Sequence, residues 1–203
     1  MKIINLKEDN DVYSSNVYLV RGTWNTLEDI NTLVDVGRDP LVIDHLKEAH
    51  TGTGQKKVGQ VILTHSHYDH VSNLPLIKEA FYPVVYAFSS SLEGVDHVLR
   101  DGEILKMGDR EFEVIYTPGH SSDSICLYCN EEGVLFVGDT PVLIDSDQSS
   151  YEKAFLWAFE SLCHKDVKSI YFGHRNPLFE DCNARLHDSL KKIKHGRNIR
   201  VIR

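Results

Sequence analysis

Long apolar runs are missing from this 203-residue sequence, and none approaches the ~20 residues that a membrane-spanning helix requires. Residues 1–6 are too poor in apolar side chains for a secretory signal and contain no small-residue cleavage site, so we expect a cytoplasmic protein. Cysteine is scarce: the four present are too few and too irregularly spaced for a disulfide scaffold. Positive charge is scarce as well, with 22 Lys and Arg against 30 Asp and Glu, which argues against a general nucleic-acid binder.

Two of the cysteines, Cys126 and Cys129, form a Cys-x-x-Cys pair of the kind found in zinc sites and redox centres. They lie in residues 125–129, whose sequence is typical of a β-strand. Residues three apart in a strand point to opposite faces, so the two thiols are not expected to meet. We interpret both as small apolar residues.

Short apolar and β-branched runs alternate along the chain with segments of helical periodicity. The predicted strands cover residues 3–6, 17–21, 32–36, 61–63, 84–87, 104–105, 111–116, 125–129, 134–137 and 169–172. The predicted helices cover residues 40–49, 72–80, 151–162 and 183–194. We expect Leu41, Ile43 and Leu46 to be buried in the first helix, and Phe155 and Trp157 of the third to pack in the core. Buried strands that alternate with helices indicate a layered α/β protein.

Histidine is the residue in excess, with eleven in the chain. Four predicted strands end in a Gly or Thr, or in a turn built on one, followed by a side chain that can bind metal. These four side chains are His65, His120, Asp139 and His174. Because ligands of α/β sheets gather outside the carboxyl ends of strands, we expect the four to converge on one cleft.

The densest group of such residues is the segment 65–70, with three histidines and one aspartate in six positions. In an extended backbone, His65, His67 and Asp69 project to one side, while His70 begins a turn and reaches a second point in space. Imidazole and carboxylate ligands suit zinc, and also iron, manganese or nickel. The six other histidines lack this context, and we predict that they bind no metal: His45, His50, His97, His164, His187 and His195.

Four motifs in this order resemble the metallo-β-lactamase superfamily. They are His65-x-His67-x-Asp69-His70, Thr117-Pro118-Gly119-His120-Ser121, Gly138-Asp139-Thr140 and Gly173-His174. The resemblance runs from the N-terminal strands to the final helix. It implies one αββα domain over residues 1–203, in which two mixed β-sheets lie face to face, helices cover the outside and metals bind at one edge.

The resemblance also implies a role for each residue at the site. His65, His67 and His120 would hold one metal ion; Asp69, His70 and His174 would hold a second; and Asp139 would bridge the two. The ions are expected to be divalent, with zinc favoured over iron or manganese. Such ions acidify water to a pKa of about 7, which makes it a nucleophile at neutral pH. Asp69 is the predicted catalytic residue, orienting that nucleophile and passing its proton to the leaving group.

The substrate is less sharply defined by the sequence. The resemblance favours hydrolysis of a small-molecule ester, thioester or lactone. β-Lactams are disfavoured, because exported β-lactamases usually lack an aspartate at the position of Asp139. Glyoxalase II enzymes bind glutathione through a helical region after the last histidine, and residues 175–203 are too few for one, so glutathione specificity is not expected.

Three alternatives stay open at this point. The segment 173–178 resembles RNA-cleaving members of the superfamily, which would make the protein a phosphodiesterase or endoribonuclease, although its acidity is unfavourable for phosphate binding. Persulfide dioxygenases share the histidine motif but use one iron ion. A non-enzymatic metal site is disfavoured, because structural zinc sites are closed, four-coordinate and often rich in thiolates.

Two residues beside the expected metal ligands are predicted to contact substrate. Arg175 follows His174, and its guanidinium could bind an anionic group by two parallel hydrogen bonds. Tyr68 stands between two of the motif's ligands and could line the mouth of the cleft. An ordinary surface ion pair for Arg175 and simple packing for Tyr68 are the competing interpretations.

Overall fold

The computed structural model describes residues 1–7, 11–145 and 151–198. Within these residues the strands are β1 (Lys2–Asn5), β2 (Tyr18–Arg21), β3 (Thr32–Val34), β4 (Gln60–Leu63), β5 (Val84–Ala87), β6 (His97–Val98), β7 (Ile104–Met107), β8 (Arg110–Tyr116), β9 (Ile125–Cys129), β10 (Val134–Gly138) and β11 (Ser169–Phe172). The helices are α1 (Leu41–Glu48), α2 (Tyr68–Val71), α3 (Leu74–Phe81), α4 (Lys153–Cys163) and α5 (Cys182–Asn198).

The strands form two mixed sheets, as predicted. One has six strands in the order β1-β2-β3-β4-β5-β6, and the other has five in the order β11-β10-β9-β8-β7. In the first sheet β3, β4 and β5 are parallel neighbours, and in the second only β10 and β11 are parallel. The carboxyl ends of these parallel strands lie at one edge of each sheet, which is where ligand-binding side chains are expected.

Three layers of apolar side chains hold the sheets and helices together. The middle layer joins the sheets face to face and contains Val20 and Ile62 from one sheet with Phe112 and Phe136 from the other. A second layer packs the outer face of the six-stranded sheet against α1 and α3. A third packs the outer face of the five-stranded sheet against α4 and α5. The predicted order of helix, sheet, sheet and helix is therefore confirmed.

Strands β9 and β10 are buried along their whole length because both of their faces are covered. Cys126 packs in the layer under the helices, whereas Cys129 packs between the sheets. The two thiols therefore lie on opposite faces, as predicted, and all four cysteines of the chain are free.

Two helices differ from the prediction in which side chains they bury. In α1, Val42 and Leu46 are buried one helical turn apart, whereas Leu41 in the first turn is 43% exposed. In α4, Phe155 is fully buried but Trp157 is 70% exposed. Trp157 lies two positions along the helix, about 200° around its axis, and so faces away from the sheet.

The predicted helix 72–80 corresponds to α3, and a short helix that was not predicted, α2, precedes it inside the histidine motif. Helix α2 starts at Tyr68, and α3 follows after Asn73 with Pro75 in its first turn. The helical turn places Asp69 and His70 on the buried side. No helix among the described residues is long and apolar enough to cross a membrane.

A set of hydrogen bonds joins the two sheets beside the carboxyl ends of their strands. The Asn16 side chain donates to the carbonyl oxygens of Phe172 and Arg175 at 2.8 and 2.9 Å, and the Tyr18 hydroxyl donates to that of Phe172 at 2.8 Å. The backbone N–H of Asn16 donates to the carbonyl of Gly173 at 2.6 Å. The start of β2 thus fixes the backbone on both sides of His174.

Candidate metal centre

The seven residues predicted to bind metal lie together at one edge of the two sheets. The six-stranded sheet supplies His65, His67, Asp69 and His70 from the segment after β4. The five-stranded sheet supplies His120 after β8, Asp139 after β10 and His174 after β11. The two halves face each other because the sheets pack face to face.

One group of donor atoms comes from His65, His67 and His120, whose ligand atoms lie within 4.8 Å of one another. His67 Nδ1 is 2.8 Å from His120 Nε2. The three imidazole rings are nearly perpendicular to one another in every pair, with ring centroids 4.6 to 4.9 Å apart. Three imidazole nitrogens therefore face a common point.

A second group comes from Asp69, His70 and His174. His174 Nε2 lies 3.0 Å from Asp69 Oδ2 and 3.4 Å from His70 Nε2. Asp139 stands between the groups: its Oδ1 is 3.4 Å from His70 Nε2, and its Oδ2 is 3.6 Å from His120 Nε2. This is the arrangement that a carboxylate shared by two ions requires.

The chemistry of these donors fits divalent metal. Two nitrogens bound to one tetrahedral zinc at ~2.0–2.1 Å are about 3.3 Å apart, close to several of the separations observed. His65 Nε2 is buried and has no hydrogen-bond partner in the structure. A buried unpaired nitrogen is costly, and a metal ion would satisfy it. A hydrogen bond between His67 and His120 could satisfy those two nitrogens without a metal ion. It would still leave the buried His65 Nε2 without a partner.

Sequence reasoning missed one member of this centre, Asp35. Its buried carboxylate accepts hydrogen bonds from the backbone N–H and hydroxyl of Thr64 and contacts His70 Nδ1 at 2.8 Å. The contact fixes His70 with Nε2 turned toward Asp139, as a carboxylate partner does for a metal-binding histidine. Asp35 directly follows β3, so its position at a strand end was the signal that could have found it, although no Gly or Thr precedes it. The predicted strand 32–36 placed Asp35 within the strand and not at its end, whereas the observed β3 ends at Val34.

The electrostatics of the buried half are dominated by two histidines with opposite shifts. Burial, reinforced by the charge of His70, lowers the pKa of His65 to about 4, which keeps its imidazole neutral and able to bind metal. Burial alone would lower the pKa of His70 too, but the carboxylates of Asp35 and Asp139 raise it to about 10. Burial opposes ionisation of Asp139, yet its contacts with His174 and His70 hold its pKa well below the usual range.

Two glycines allow the sheets to approach at the centre. Gly138, next to Asp139, has a positive φ of 51°, and a Cβ there would lie 2.5 Å from Thr64 Oγ1. A Cβ on Gly173 would overlap the carboxylate of Asp139. Both positions therefore require glycine for Asp139 and His174 to reach the first sheet.

Of the two predicted substrate contacts, Arg175 lines a cavity at the centre and Tyr68 does not. Arg175 is exposed and lines a cavity of about 240 Å³ together with His120, Asp139, His174 and Leu143. Neither an ion pair nor a side-chain hydrogen bond of Arg175 occurs among the described residues, which does not match the surface ion pair considered above. Tyr68 is 57% exposed, with the guanidinium of Arg38 5.5 Å from its ring centroid.

The histidines predicted to bind no metal lie elsewhere. His45 Nδ1 contacts the carbonyl of Leu6, His164 Nδ1 contacts that of Glu160, and His97 stacks on Tyr86. The side chain of His195 lies outside the described residues. Every group of three or more potential ligands found in the described part of the chain is drawn from the predicted seven residues.

Known proteins resemble this chain in sequence and in fold. The family described as the metallo-beta-lactamase superfamily matches residues 10–94 and 87–142. A hydroxyacylglutathione hydrolase of Hydrogenovibrio crunogenus is 32% identical over 144 residues, which is 69% of this chain and 49% of that protein. A probable hydroxyacylglutathione hydrolase of Schizosaccharomyces pombe is 42% identical over 83 residues, 39% of this chain and 32% of that protein. The chain thus spans half or less of the length of these relatives.

Among solved structures, a metallo-beta-lactamase family protein of Thermus thermophilus superposes with a TM-score of 0.67 at 21% identity. The superposition covers 98% of this chain and 80% of the other. At this identity the likeness establishes the fold, two mixed sheets flanked by helices.

The Asp35–His70 contact predicts that Asp35 controls metal affinity. We expect Asp35→Asn to weaken metal binding roughly 10- to 100-fold, because the neutral amide no longer fixes the His70 ring or raises its basicity. Competition with a chromogenic chelator measures the affinity. Asp44→Asn, on the exposed face of α1 and paired with Lys47, is the matched control and should bind metal like the original protein. Equal affinities for both variants would show that the contact does not support the metal.

The shifted histidines predict how the stability of metal-free protein depends on pH. Between pH 6.5 and about 4 the unfolded chain takes up a proton that folded His65 refuses, so stability falls on acidification. The contribution of His70 is complete below its unfolded pKa of 6.5 and is lost as the pH rises through about 10.

Urea unfolding of chelator-treated protein from pH 4 to 10 measures both changes. Asp35→Asn should flatten the alkaline decline and leave the acid decline in place, because burial, the largest cause of the low His65 pKa, is unchanged. An alkaline decline of unchanged slope in this variant would contradict the assignment.

Proposed function

The chain belongs to the metallo-beta-lactamase superfamily, and from this membership and the geometry of its metal centre we propose that it hydrolyses a small-molecule thioester, ester or lactone. The observation that carries the proposal is the pair of donor groups joined by Asp139, with a cavity of about 240 Å³ beside them. Structural metal sites are closed. Here His67 and His120 are exposed, and His120, Asp139 and His174 line the cavity, which suits a site that admits water and substrate.

The family and its cluster of histidines and aspartates imply binding of divalent metal. We assign one ion to His65, His67 and His120 and a second to Asp69, His70 and His174, with Asp139 between them. Nitrogen and carboxylate donors of this kind suit zinc, with iron and manganese as the alternatives. When bound, such ions supply Lewis acidity that polarises a carbonyl and lowers the pKa of water toward 7.

Asp69 is assigned the proton transfer. Its carboxylate is buried at the start of α2, with Oδ2 3.0 Å from His174 Nε2. The carbonyl of Asp69 accepts a hydrogen bond from the backbone N–H of Ser15, which holds the residue against the β1–β2 loop. In the proposed reaction, water adds to the carbonyl carbon, and Asp69 takes its proton and returns it to the departing sulfur or oxygen as the C–S or C–O bond breaks.

The thioester is the preferred substrate class because the curated relatives are named hydroxyacylglutathione hydrolases. Only the type of bond that is cleaved, a thioester, is inferred from these relatives, because the chain spans half or less of their length. Arg175 and Tyr68 are assigned to substrate binding. A guanidinium on the cavity wall with no ion pair among the described residues, in a chain of net charge −8, favours a substrate that carries an anionic group.

The function is tested with metal-loaded protein and a panel of thioesters, lactones and phosphodiesters. We expect thioester hydrolysis that a chelator abolishes and added zinc restores. His67→Ala should lower the rate at least about 100-fold, more than loss of a residue that merely supports a ligand. His97→Ala, an exposed histidine outside the centre, should change nothing.

Elemental analysis of the same samples supplies the second measurement, and we expect about two metal ions per chain. Inactivity on every carbonyl substrate after supply of zinc, iron or manganese would refute the proposal. Cleavage of the phosphodiesters in preference to the thioesters would replace it with a nuclease, and iron-dependent oxygen uptake with a persulfide would replace it with a dioxygenase.

The role of Arg175 is tested with two thioesters of the same thiol, one with a free carboxylate on its acyl chain and one with a methyl group there. Arg175→Gln should lower kcat/KM about tenfold for the charged substrate alone, as expected for loss of one charge-assisted hydrogen bond. Arg100→Gln, an exposed arginine outside the cavity, is the control. An equal loss on both substrates would mean that Arg175 does not recognise the carboxylate.

A further inference from the structure

A row of planar side chains leads to the metal centre, and none of them except His174 lines the cavity beside Arg175. The Arg38 guanidinium lies 5.5 Å from the Tyr68 ring, Tyr68 lies 6.5 Å from Tyr13, and Tyr13 stacks on His174 at 5.2 Å with an interplanar angle of 14°. We call Tyr68 and Tyr13 the tyrosine wall. His174 ends the row, and its Nε2 is 3.0 Å from Asp69 Oδ2. The wall therefore begins beside the atoms assigned to the reaction.

The two tyrosines are not part of the core. Tyr13 is 59% exposed and Tyr68 is 57% exposed, and neither belongs to any of the three apolar layers. Among the described residues their hydroxyl groups have no hydrogen-bond partner. Adjacent exposed aromatic rings leave apolar surface in water that a ligand can cover. Packing within the protein thus accounts for one face of Tyr13, the one against His174, and leaves the rest open.

Backbone contacts hold the wall in place. The residue after Tyr13, Ser14, accepts a hydrogen bond from the N–H of Arg38 through its hydroxyl at 2.8 Å. The next residue, Ser15, donates its N–H to the carbonyl of Asp69 at 3.1 Å. Tyr68 directly precedes Asp69 in α2. The positions of both tyrosines are therefore linked to the metal centre, and less conformational freedom is lost when a ligand binds to them.

We propose that the tyrosine wall binds a planar aromatic group of the substrate and so selects arylalkyl thioesters or esters. The inference rests on the proposed hydrolase function, which it narrows to a substrate class. Ring pairs in offset-stacked or edge-to-face contact are worth about 0.5–1.5 kcal/mol beyond their buried area, which corresponds to roughly a two- to tenfold preference over a saturated ring. A wall that bound only by apolar area would not distinguish the two.

The test uses phenylacetyl and cyclohexylacetyl thioesters of one thiol, which match in length and differ in the planarity of the ring. Each kcat/KM is divided by the alkaline hydrolysis rate of the same compound to remove intrinsic reactivity. The original protein should prefer the phenylacetyl compound roughly two- to tenfold. Tyr13→Leu should bring the ratio close to one, and Tyr13→Phe should keep it. Trp24→Leu, which removes an 84% exposed aromatic ring outside the wall, should also keep it.

A second measurement does not depend on turnover. Calorimetry on metal-loaded protein compares the binding of phenylacetate and cyclohexylacetate, and the same preference should appear and disappear with Tyr13→Leu. Metal content is measured alongside, because Tyr13 also covers a metal-binding residue. A loss of metal with equal loss of both activities would make Tyr13 a support for His174 and overturn the proposal.

The failure of this inference is distinct from failure of the proposed function. If the protein hydrolyses both thioesters with a ratio of corrected kcat/KM values near one, the proposed role of the tyrosine wall is wrong and the proposed hydrolase function is retained. Inactivity on both thioesters overturns the proposed hydrolase function. The ratio of the affinities for phenylacetate and cyclohexylacetate then tests by itself whether the tyrosine wall binds aromatic groups.

Discussion

The contact between Asp35 and His70 is the interaction on which the rest of the centre depends. It joins the end of β3 to the start of α2, 2.8 Å apart and buried from water. Asp35 also holds the N–H and hydroxyl of Thr64, the residue just before His65. One buried carboxylate thus positions both His65, whose imidazole stays neutral, and His70, whose pKa it raises. Since a buried charge must be paired, the centre cannot lose this contact without rearrangement.

The second constraint is that neither sheet carries a complete site. The sheets meet through Thr64, whose carbonyl accepts a hydrogen bond from the N–H of Ile125 at 2.9 Å and whose side chain lies against Gly138. On the other side, Asn16 fixes the backbone around His174. The apolar layer between the sheets sets their spacing, and these polar contacts set the register of the two halves. Errors in either would separate donor atoms that now lie within 4.8 Å.

Much of this could be predicted from the sequence, because strand ends are marked by short local patterns. His65, Asp139 and His174 each follow a buried apolar strand after one or two small residues, and the topology then brings them together. Asp35 also stands at a strand end, but it follows Val34 with no small residue between, and the predicted strand 32–36 was two residues too long. Tyr13 could not be predicted at all. It lies in a loop whose sequence has no periodicity. Its proposed role depends on a ring contact with His174, which is 161 positions away in the sequence.

The buried and exposed halves of the site differ in how the chain holds their side chains. The buried half, with His65, Asp69 and His70, is fixed by the core and by paired charges, and its chemistry is common to the superfamily. The exposed half is built from loop residues whose side chains make few contacts within the chain. Binding residues are found disproportionately on loops that a rigid scaffold positions, so in the proposed function the exposed rings and the guanidinium recognise the substrate. Substrate choice in this protein is therefore to be sought at Tyr13, Tyr68 and Arg175.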